Sequence, residues 1–273
     1  MRIAHLSDLH FGRRVSREKL LSLERDIATE SPDLLAITGD ITDRGRTSQF
    51  RSAIDFLSSL GIPFISVPGN REICFSAVWE WMFPPLAMMR YKEFFGNPDR
   101  ILYRPDQSNV VCFGLNSVHP FPSWPGSISR ESRYWLKEKA AQFPECLKIL
   151  LLHHPVLPVV RSSSFWAHTF SDAGELLNIC TQTGISIILQ GHKHRSSIME
   201  VIFPERNAKI VVSACGAPLM SQWDPVYHII DISLASIVIR PKEFREGRFN
   251  EKGAYRFSSV YDDLFSSASE RLT

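Results

Sequence analysis

Five short apolar segments of the sequence are each followed by polar residues that can bind a divalent metal ion. In chain order these polar groups are Asp8 with His10, Gly39 with Asp40, Gly69-Asn70-Arg71, His153-His154, and Gly191-His192-Lys193-His194. Carboxylate, amide and imidazole donors suit ions such as Mn²⁺, Fe²⁺, Zn²⁺ or Co²⁺. Each group alone is common by chance. Because ligands of open α/β sheets bind beyond the carboxyl ends of the strands, the ordered set predicts one metal site at a sheet rim.

The residues between these groups alternate between predicted strands and amphipathic helices. Strands are expected at 3–6, 34–38, 62–67, 110–115, 147–152 and 185–189, and helices at 17–31, 47–60, 129–143 and 172–183. Four further strands, without helices between them, are expected at 197–203, 209–212, 227–232 and 236–239. We therefore expect an α/β domain over residues 1–240. Residues 241–273 are rich in Lys, Arg, Glu and Ser, and we expect a loosely held C-terminal extension there.

Composition excludes several classes of protein. The 273 residues are 44% hydrophobic and 22% charged with a net charge of +2, which gives no signal for nucleic-acid binding. The five cysteines are scattered, as is typical of reduced thiols in a cytosolic protein. No signal peptide is visible, and no stretch reaches the roughly 18 apolar residues that span a bilayer. Cleavage of an N-terminal peptide would also remove the segment that carries Asp8, so we expect a cytoplasmic location.

The ordered motifs DxH, GD, GNx, HH and GHxH resemble those of the calcineurin-like metallophosphoesterase family, over residues 3 to about 232. Their spacing is most similar to the class that includes bacterial cyclic-nucleotide phosphodiesterases. The resemblance implies a four-layer αββα sandwich with two mixed β-sheets. It also implies two divalent ions, Mn²⁺ first among the candidates, with Asp40 bridging them. One ion would be held by Asp8, His10, Asp40 and His194, and the other by Asp40, Asn70, His153 and His192.

The same resemblance implies a dinuclear-metal hydrolase of phosphoesters, in which a metal-bound hydroxide attacks phosphorus. Asp40, Asn70, Arg71 and His153 are the residues that we expect to take part in catalysis. Arg71 departs from the family, which usually has at this position a His that can act as an acid. A guanidinium does not release a proton at working pH, but its planar set of donors matches phosphate oxygens. Arg71 is therefore interpreted as a phosphate-binding residue, with a simple turn residue as the alternative.

The Asn-Arg pair is shared with the UDP-2,3-diacylglucosamine pyrophosphohydrolases of lipid A synthesis, which gives an alternative function. The match is partial, because Glu72 stands where that branch has Asp, and the distance along the chain from Asn70 to His153 is longer. A contrasting hypothesis is a non-catalytic binding module on the same fold. The enzyme is favoured because all seven metal positions hold competent ligands.

Two aromatic segments are candidate walls of the site. Residues 73–95 are dense in aromatic residues and Met, which indicates a flap packed over the core. The second interpretation is a lipid-accepting wall or a peripheral contact with the inner membrane face. The Pro-rich residues 119–125 are expected to form the opposite wall. The expected partner is a small phosphorylated substrate, either a nucleotide or a lipid-linked compound.

Overall fold

The structure is a computed structural model that describes residues 1–13, 15–73, 88–105, 108–119, 126–159, 172–233 and 235–258. Two mixed β-sheets carry the fold, as expected. The first sheet has the order β12-β11-β10-β1-β2-β3, with β13 also paired to β11. Its strands are β1 (Arg2–Leu6), β2 (Leu34–Thr38), β3 (Phe64–Val67), β10 (Val226–Ile232), β11 (Ser236–Arg245), β12 (Arg248–Glu251) and β13 (Tyr255–Ser258).

The second sheet has the order β4-β5-β6-β7-β9-β8. Its strands are β4 (Arg100–Tyr103), β5 (Val110–Leu115), β6 (Leu147–Leu151), β7 (Ile185–Gln190), β8 (Ser197–Phe203) and β9 (Ala208–Ala214). The strands that precede the predicted ligands are parallel to their neighbours: β1 to β2, β2 to β3, and β6 to β7. Their carboxyl ends therefore lie at one edge of each sheet.

Helices cover the outer faces of both sheets. They are α1 (Arg17–Glu30), α2 (Thr47–Ser59), α3 (Met89–Phe95), α4 (Arg130–Ala140) and α5 (Ala173–Thr183). Ser16 caps α1 by accepting a hydrogen bond from the Lys19 amide, as its position before the apolar repeat predicts. Among the described residues, no helix is long and apolar enough to cross a membrane.

Three clusters of buried apolar side chains separate the four layers. Along β1, Ile3 belongs to the cluster between the two sheets, whereas Ala4 belongs to the cluster shared with α1 and α2. The third cluster joins the second sheet to Leu136 of α4 and Leu176 of α5. Central strands are thus buried on both faces, which explains why they are continuous apolar runs in the sequence. The expected αββα sandwich is confirmed.

The C-terminal residues differ from the expectation. Residues 241–258 are not a loosely held extension, so that prediction is wrong for them, and the expected boundary at 240 falls inside β11. Strand β11 returns as β12 through Glu246 (φ 53°) and Gly247 (φ 78°), a two-residue turn with positive φ at both positions. Residues 259–273 lie outside the described part of the chain.

Charged residues of β11 hold this region in place. The Arg240 guanidinium contacts Glu30 of α1 at 2.6 Å and Asp231 of β10 at 3.0 Å. The Lys242 ammonium lies 2.7 Å from the same Glu30 carboxylate. Arg240 and Lys242 therefore pair a face of the first sheet with α1, and Lys242 lies in the region that was expected to be a solvated extension. Burial alone would raise the pKa of Glu30, but hydrogen bonds from Arg240 and Lys242 lower it to about 2.

Glu30→Gln should destabilise the fold by roughly 1–3 kcal/mol at pH 7, because it breaks a largely buried ion-pair cluster. A depressed folded-state pKa stabilises the fold above the unfolded value of 4.5, and this contribution is lost as pH falls towards 2. The difference in the free energy of unfolding between wild type and Glu30→Gln, measured by urea unfolding, should therefore narrow below about pH 4.5. Glu251→Gln is the matched control: it removes a more exposed partner of Arg240 and should cost less than about 1 kcal/mol. A difference in the free energy of unfolding that does not change with pH would contradict the stabilising role of the ionised Glu30 carboxylate.

Candidate metal centre

The predicted ligands meet at one rim, between the carboxyl ends of strands from both sheets. Asp8, Asp40 and Asn70 follow β1, β2 and β3 of the first sheet, and His153 and His192 follow β6 and β7 of the second. His10 and His194 complete the set in the loops after β1 and β7. The structure thus brings together all seven side chains that the sequence singled out. They form two groups of donor atoms.

The first donor group contains Asp8, His10, Asp40 and His194, whose ligand atoms all lie within 4.8 Å of one another. The Nε2 atom of His194 lies 3.0 Å from Oδ1 of Asp8 and 3.0 Å from Nε2 of His10. Oδ2 of Asp40 lies 4.0 Å from Nε2 of His10. Three of the four side chains are buried, and His194 is the most exposed at 17%. A single ion can reach all four donors.

The second donor group contains Asp40, Asn70, His153 and His192. Oδ1 of Asn70 lies 3.1 Å from Nε2 of His153 and 3.0 Å from Nδ1 of His192. The two ring nitrogens are 3.2 Å apart. Oδ1 of Asp40 lies 3.4 Å from Nε2 of His153, while its Oδ2 faces the first group. Asp40 therefore presents one carboxylate oxygen to each group.

Hydrogen bonds around the ligands fix which atoms face inward. Nδ1 of His153 lies 2.7 Å from the Thr38 carbonyl oxygen, so it carries the ring proton and leaves Nε2 as a lone-pair donor. The hydroxyl of Ser7 and the amide of His192 donate to Oδ2 of Asp8 at 2.6 and 3.0 Å. Oδ1 of Asp8 is buried, and no donor in the described residues is aligned to hydrogen bond with it. That unsatisfied carboxylate oxygen points into the first donor group and fits a cation there.

The backbone at the rim is strained. Five of the seven predicted ligands have φ in the left-handed region: Asp8 (53°), His10 (50°), Asp40 (49°), His192 (71°) and His194 (52°). Such a conformation costs about 1–3 kcal/mol for a residue other than Gly, and it collects at functional sites. Asp and His are among the residue types that tolerate it best. The tight turns aim each side chain back over the end of its strand.

Two glycines allow the loops after β2 and β3 to touch. A Cβ on Gly39 would lie 2.6 Å from the Gly69 nitrogen and 2.7 Å from Nδ1 of His153. Gly39 also has a φ of +83°. A Cβ on Gly69 would lie 2.4 Å from Oδ1 of Asp40 and 2.9 Å from Cε1 of His153, so a side chain here would separate Asp40, Asn70 and His153.

The buried charges of the site shift its pKa values in opposite directions. Burial and the neighbouring Asp8 charge raise the pKa of Asp40 to about 8. Burial would also raise the pKa of Asp8, but the charges of His194, His153 and His10 hold it below its usual range. Burial lowers the pKa of His10 to about 3 and the pKa of His192 well below its ordinary value. Lowered pKa values at His10 and His192, beside two crowded carboxylates, suit a site for cations.

Glu72 is a structural residue that the sequence marked only as a departure from the related branch. Its buried carboxylate accepts hydrogen bonds from the amides of Gly69 (2.7 Å) and Thr42 (2.9 Å), and from the Thr42 hydroxyl (3.0 Å). Burial and the charge of Asp40 raise its pKa to about 8. Glu72 therefore ties the loop that carries Asn70 to the loop that carries Asp40.

Arg71 lies at the edge of the second donor group. Its amide donates to Oδ1 of Asp40 at 2.8 Å, so its backbone helps to orient the carboxylate shared by both groups. Its side chain is partly buried, and its positive charge lowers the pKa values of Asp40 and His10. Among the described residues, no hydrogen bond or ion pair of the guanidinium is found. The guanidinium donors thus have no partner in that part of the chain.

Trp223 is a residue of the site that the sequence did not indicate. Its indole stacks on the His194 ring at 3.7 Å between centroids, with an angle of 27°, and its centroid lies 5.5 Å from that of His10. The Asp224 amide donates to the His194 carbonyl oxygen at 3.2 Å, which brings the loop after β9 to this side of the rim. No periodicity or motif in the sequence could have predicted that contact.

Three further histidines have structural positions, and the two candidate walls are described only in part. His154 packs beside His192, with ring centroids 4.6 Å apart. His5 and His228 are both buried and are linked through the Ser213 hydroxyl. In the segment 73–95, residues 74–87 lie outside the described residues, and the described Tyr91 packs inward, fully buried. Residues 120–125 of the second candidate wall also lie outside the described part of the chain.

Two mixed sheets in an αββα sandwich, with Asp, Asn and His ligands converging at one rim, define the metallophosphoesterase class of fold and site. The model of the calcineurin-like phosphoesterase family matches residues 1–196, and the chain belongs to that family. A dimetal phosphatase from Danio rerio has a similar structure, with a TM-score of 0.66 and 12% identity over 94% of this chain and 98% of that one. At that identity the likeness concerns the fold alone.

Two curated relatives are similar in sequence over shorter regions. The probable glycerophosphodiester phosphodiesterase GpdQ of Arcobacter nitrofigilis is 26% identical over 47% of this chain and 44% of its own length. The 3',5'-cyclic adenosine monophosphate phosphodiesterase CpdA of Escherichia coli K12 is 27% identical over 60% of this chain and 54% of its own. The chain thus spans about half the length of these relatives.

Trp223 should report ion binding by fluorescence, because it stacks on one expected ligand and lies beside another. Adding Zn²⁺ to protein stripped with a chelator should change the tryptophan emission of the wild type. The change should be largely lost in Trp223→Phe, which keeps an aromatic ring but removes the indole. Trp135→Phe, which alters an indole packed on Phe113 in the second sheet, is the matched control and should keep the change. An equal response from Trp223→Phe and wild type would contradict the placement of an ion in the first donor group.

Proposed function

We propose that this protein is a dinuclear-metal-dependent hydrolase of phosphoesters. The observation that carries the proposal is the position of Asp40, whose two carboxylate oxygens face two separate donor groups. Membership of the calcineurin-like family supports it, as do the phosphodiesterase names of the relatives. The proposed substrates are small phosphorylated compounds, with phosphodiesters first.

The two donor groups define the proposed ion sites. Asp8, His10, Asp40 and His194 would hold one divalent ion, and Asp40, Asn70, His153 and His192 would hold the other. Mn²⁺ is the proposed ion, with Fe²⁺, Zn²⁺ and Co²⁺ as alternatives, since the donors are oxygen and imidazole nitrogen without a thiolate. When bound, such a pair lowers the pKa of a coordinated water towards about 7 and stabilises charge on phosphoryl oxygens.

The protein's own contribution is orientation. The Thr38 carbonyl holds the His153 ring in the tautomer that directs Nε2 inward, and Ser7 and the His192 amide hold the Asp8 carboxylate. Arg71 is proposed to bind the oxygens of the phosphoryl group under attack, because its amide contacts Asp40 and its guanidinium makes no hydrogen bond or ion pair within the described residues. Fixed donors aimed at developing charge need no rearrangement during the reaction. A guanidinium cannot protonate the leaving group, so that proton would come from solvent.

A second candidate substrate class contains a diphosphate, as in UDP-2,3-diacylglucosamine. Arg71 favours it, because a diphosphate has a leaving group that needs less help from an acid than an alkoxide does. The third candidate, a non-catalytic binding module on the same fold, is disfavoured by the seven intact donors. Metal analysis separates this candidate from the two enzymes, because a module that lost the chemistry would not retain two divalent ions.

The proposed location is the cytoplasm. The cysteines of the described residues, Cys112, Cys146, Cys180 and Cys215, are buried and free, which suits a reducing compartment. A membrane contact through residues 73–95 is not part of the proposal, because the described part of that segment packs against the core through Tyr91, Phe94 and Phe95.

Asp40→Ala tests the proposal directly. Removing the shared carboxylate should reduce Mn²⁺-dependent hydrolysis of bis(4-nitrophenyl) phosphate to background, and elemental analysis should show loss of both bound ions. Circular dichroism should show that the fold is retained, because removing a buried carboxylate leaves the core intact. Asp55→Ala, an exposed aspartate on α2, is the control and should behave as wild type. Wild-type turnover in Asp40→Ala would show that the two-ion assignment is wrong.

Arg71 gives a second test with a larger substrate panel. Arg71→Ala should lower kcat/KM for diesters on the order of 10²-fold, the effect of losing one transition-state donor. Arg71→Lys should recover only part of the loss, since an ammonium is a point charge and not a planar fork. Arg51→Ala, on the exposed face of α2, is the matched control. If Arg71→His instead improved hydrolysis of substrates with alkoxide leaving groups, Arg71 would stand in place of an acid. Equal activity of Arg71→Ala and wild type on every substrate would leave Arg71 as a turn residue.

A further inference from the structure

A second guanidinium, that of Arg13, lies at the rim beside the first donor group. Arg13 comes three residues after His10, and its amide donates to the His10 carbonyl oxygen at 3.1 Å. Its guanidinium carbon lies 5.0 Å from the ring centroid of Trp223, the indole that stacks on His194. The Arg13 side chain is 30% exposed. Arg13 thus has both a fixed position near two expected ligands and access to solvent.

Asp43 and Trp223 hold the Arg13 side chain in a defined orientation. Nε of Arg13 lies 2.6 Å from Oδ1 of the largely buried Asp43, an ion-pair contact that lacks the alignment of a hydrogen bond. The two terminal nitrogens make no hydrogen bond within the described residues. Asp43 is also shared with Arg44, whose Nε lies 3.5 Å from Oδ2. One carboxylate therefore faces two guanidiniums, so the cluster of Arg13, Asp43 and Arg44 carries more positive than negative charge.

The contact with Asp43 is not required to join the two loops. The backbone already does so, because the amides of His10, Phe11 and Asp43 donate to Asp40, Ile41 and Phe11 at 3.0, 2.8 and 2.9 Å. The Arg13 guanidinium is therefore not needed to connect the loops, and its terminal nitrogens can bind a ligand.

Two guanidiniums thus adjoin the proposed ion pair, Arg71 at the second donor group and Arg13 at the first. Cations repel one another unless anions arrive between them, and a single phosphodiester brings one negative charge. Arg is the residue best suited to bind a phosphate through two donors in a plane. A substrate with a second phosphate beside the one attacked would satisfy both side chains.

We infer that Arg13, oriented by Asp43 and Trp223, binds a second phosphate of the substrate, and that the site selects compounds with two adjacent phosphates. The inference rests on the proposed function, whose substrate class it narrows. Arg71 would contact the phosphoryl group under attack and Arg13 the neighbouring one. Arg13 is then a specificity-determining residue of the site.

The experiment measures binding of ADP and AMP by calorimetry to the full-length protein saturated with Mn²⁺. Wild type should bind ADP more tightly than AMP, and Arg13→Ala should reduce this preference by about 10-fold or more, as expected from losing a hydrogen bond between charged groups. Arg44→Ala is the matched control: it removes a guanidinium from the same Asp43 carboxylate, at a side chain that is 68% exposed. Free nucleotide chelates Mn²⁺ to the same extent whichever variant is present. The comparison therefore uses the ratio of ADP affinity to AMP affinity and how this ratio differs between variants.

The ADP preference should be intact in Arg44→Ala and intermediate in Arg13→Lys, which keeps the charge opposite Asp43 but loses the planar fork. The lysine variant also serves if Arg13→Ala does not fold. The inference is overturned if wild type binds ADP and AMP equally, if Arg13→Ala keeps the full preference, or if Arg44→Ala loses it to the same extent.

A parallel assay separates this inference from the proposed function. Binding needs no turnover, so the ADP preference can be read even if bis(4-nitrophenyl) phosphate is not hydrolysed, an outcome that would count against the enzyme and not against Arg13. Conversely, hydrolysis by wild type together with an unchanged preference in Arg13→Ala would retain the enzyme and reject the role of Arg13.

Discussion

The carboxylates of Asp8 and Asp40 are buried beside each other at the end of the first sheet, and the surrounding structure serves to keep them there. Removing a charged group from water costs several kcal/mol, and a second carboxylate nearby adds repulsion. The raised pKa of Asp40 is the visible result of this cost. Histidines from the second sheet and a set of hydrogen bonds surround the pair. A pair of divalent cations would offset the repulsion, which is why the metal centre is the simplest account of this arrangement.

Holding such a centre requires both sheets and an unfavourable backbone. The first sheet supplies Asp8, His10, Asp40 and Asn70, whereas the three ring donors of the second come from loops after β6 and β7. Five ligands adopt left-handed φ values, each at a cost of about 1–3 kcal/mol. The clusters of apolar side chains between and outside the sheets stabilise the strands well enough to tolerate that strain. The rigid sandwich thus supports a strained rim.

Beside the predicted ligands, the rim carries the Arg13 guanidinium and the Trp223 indole. Trp223 packs against both histidines of the first donor group and contacts Arg13, so the position of a ligand ring and that of a charged side chain are linked. Beside the second donor group, the hydrogen bonds of Glu72 join the loop of Asp40 to the loop of Asn70. These supporting residues determine how accurately donors and guanidiniums are placed. They differ from the ligands in that their types follow from local packing and not from the chemistry of a metal.

The sequence by itself determined the family, the two mixed sheets and the side chains that meet at the rim. It could do so because strands alternate with helices in a readable pattern, and because the carboxyl ends of parallel strands converge whatever the details of packing. It failed for residues 241–258, where Lys242, one of the charged residues that suggested a solvated extension, pairs with Glu30 on α1. Only the tertiary structure showed that Trp223 stacks on His194 and that Asp43 orients Arg13. Those contacts join loops far apart in the chain, and the loop positions follow from the packing of both sheets, which leaves no local or periodic signal in the sequence.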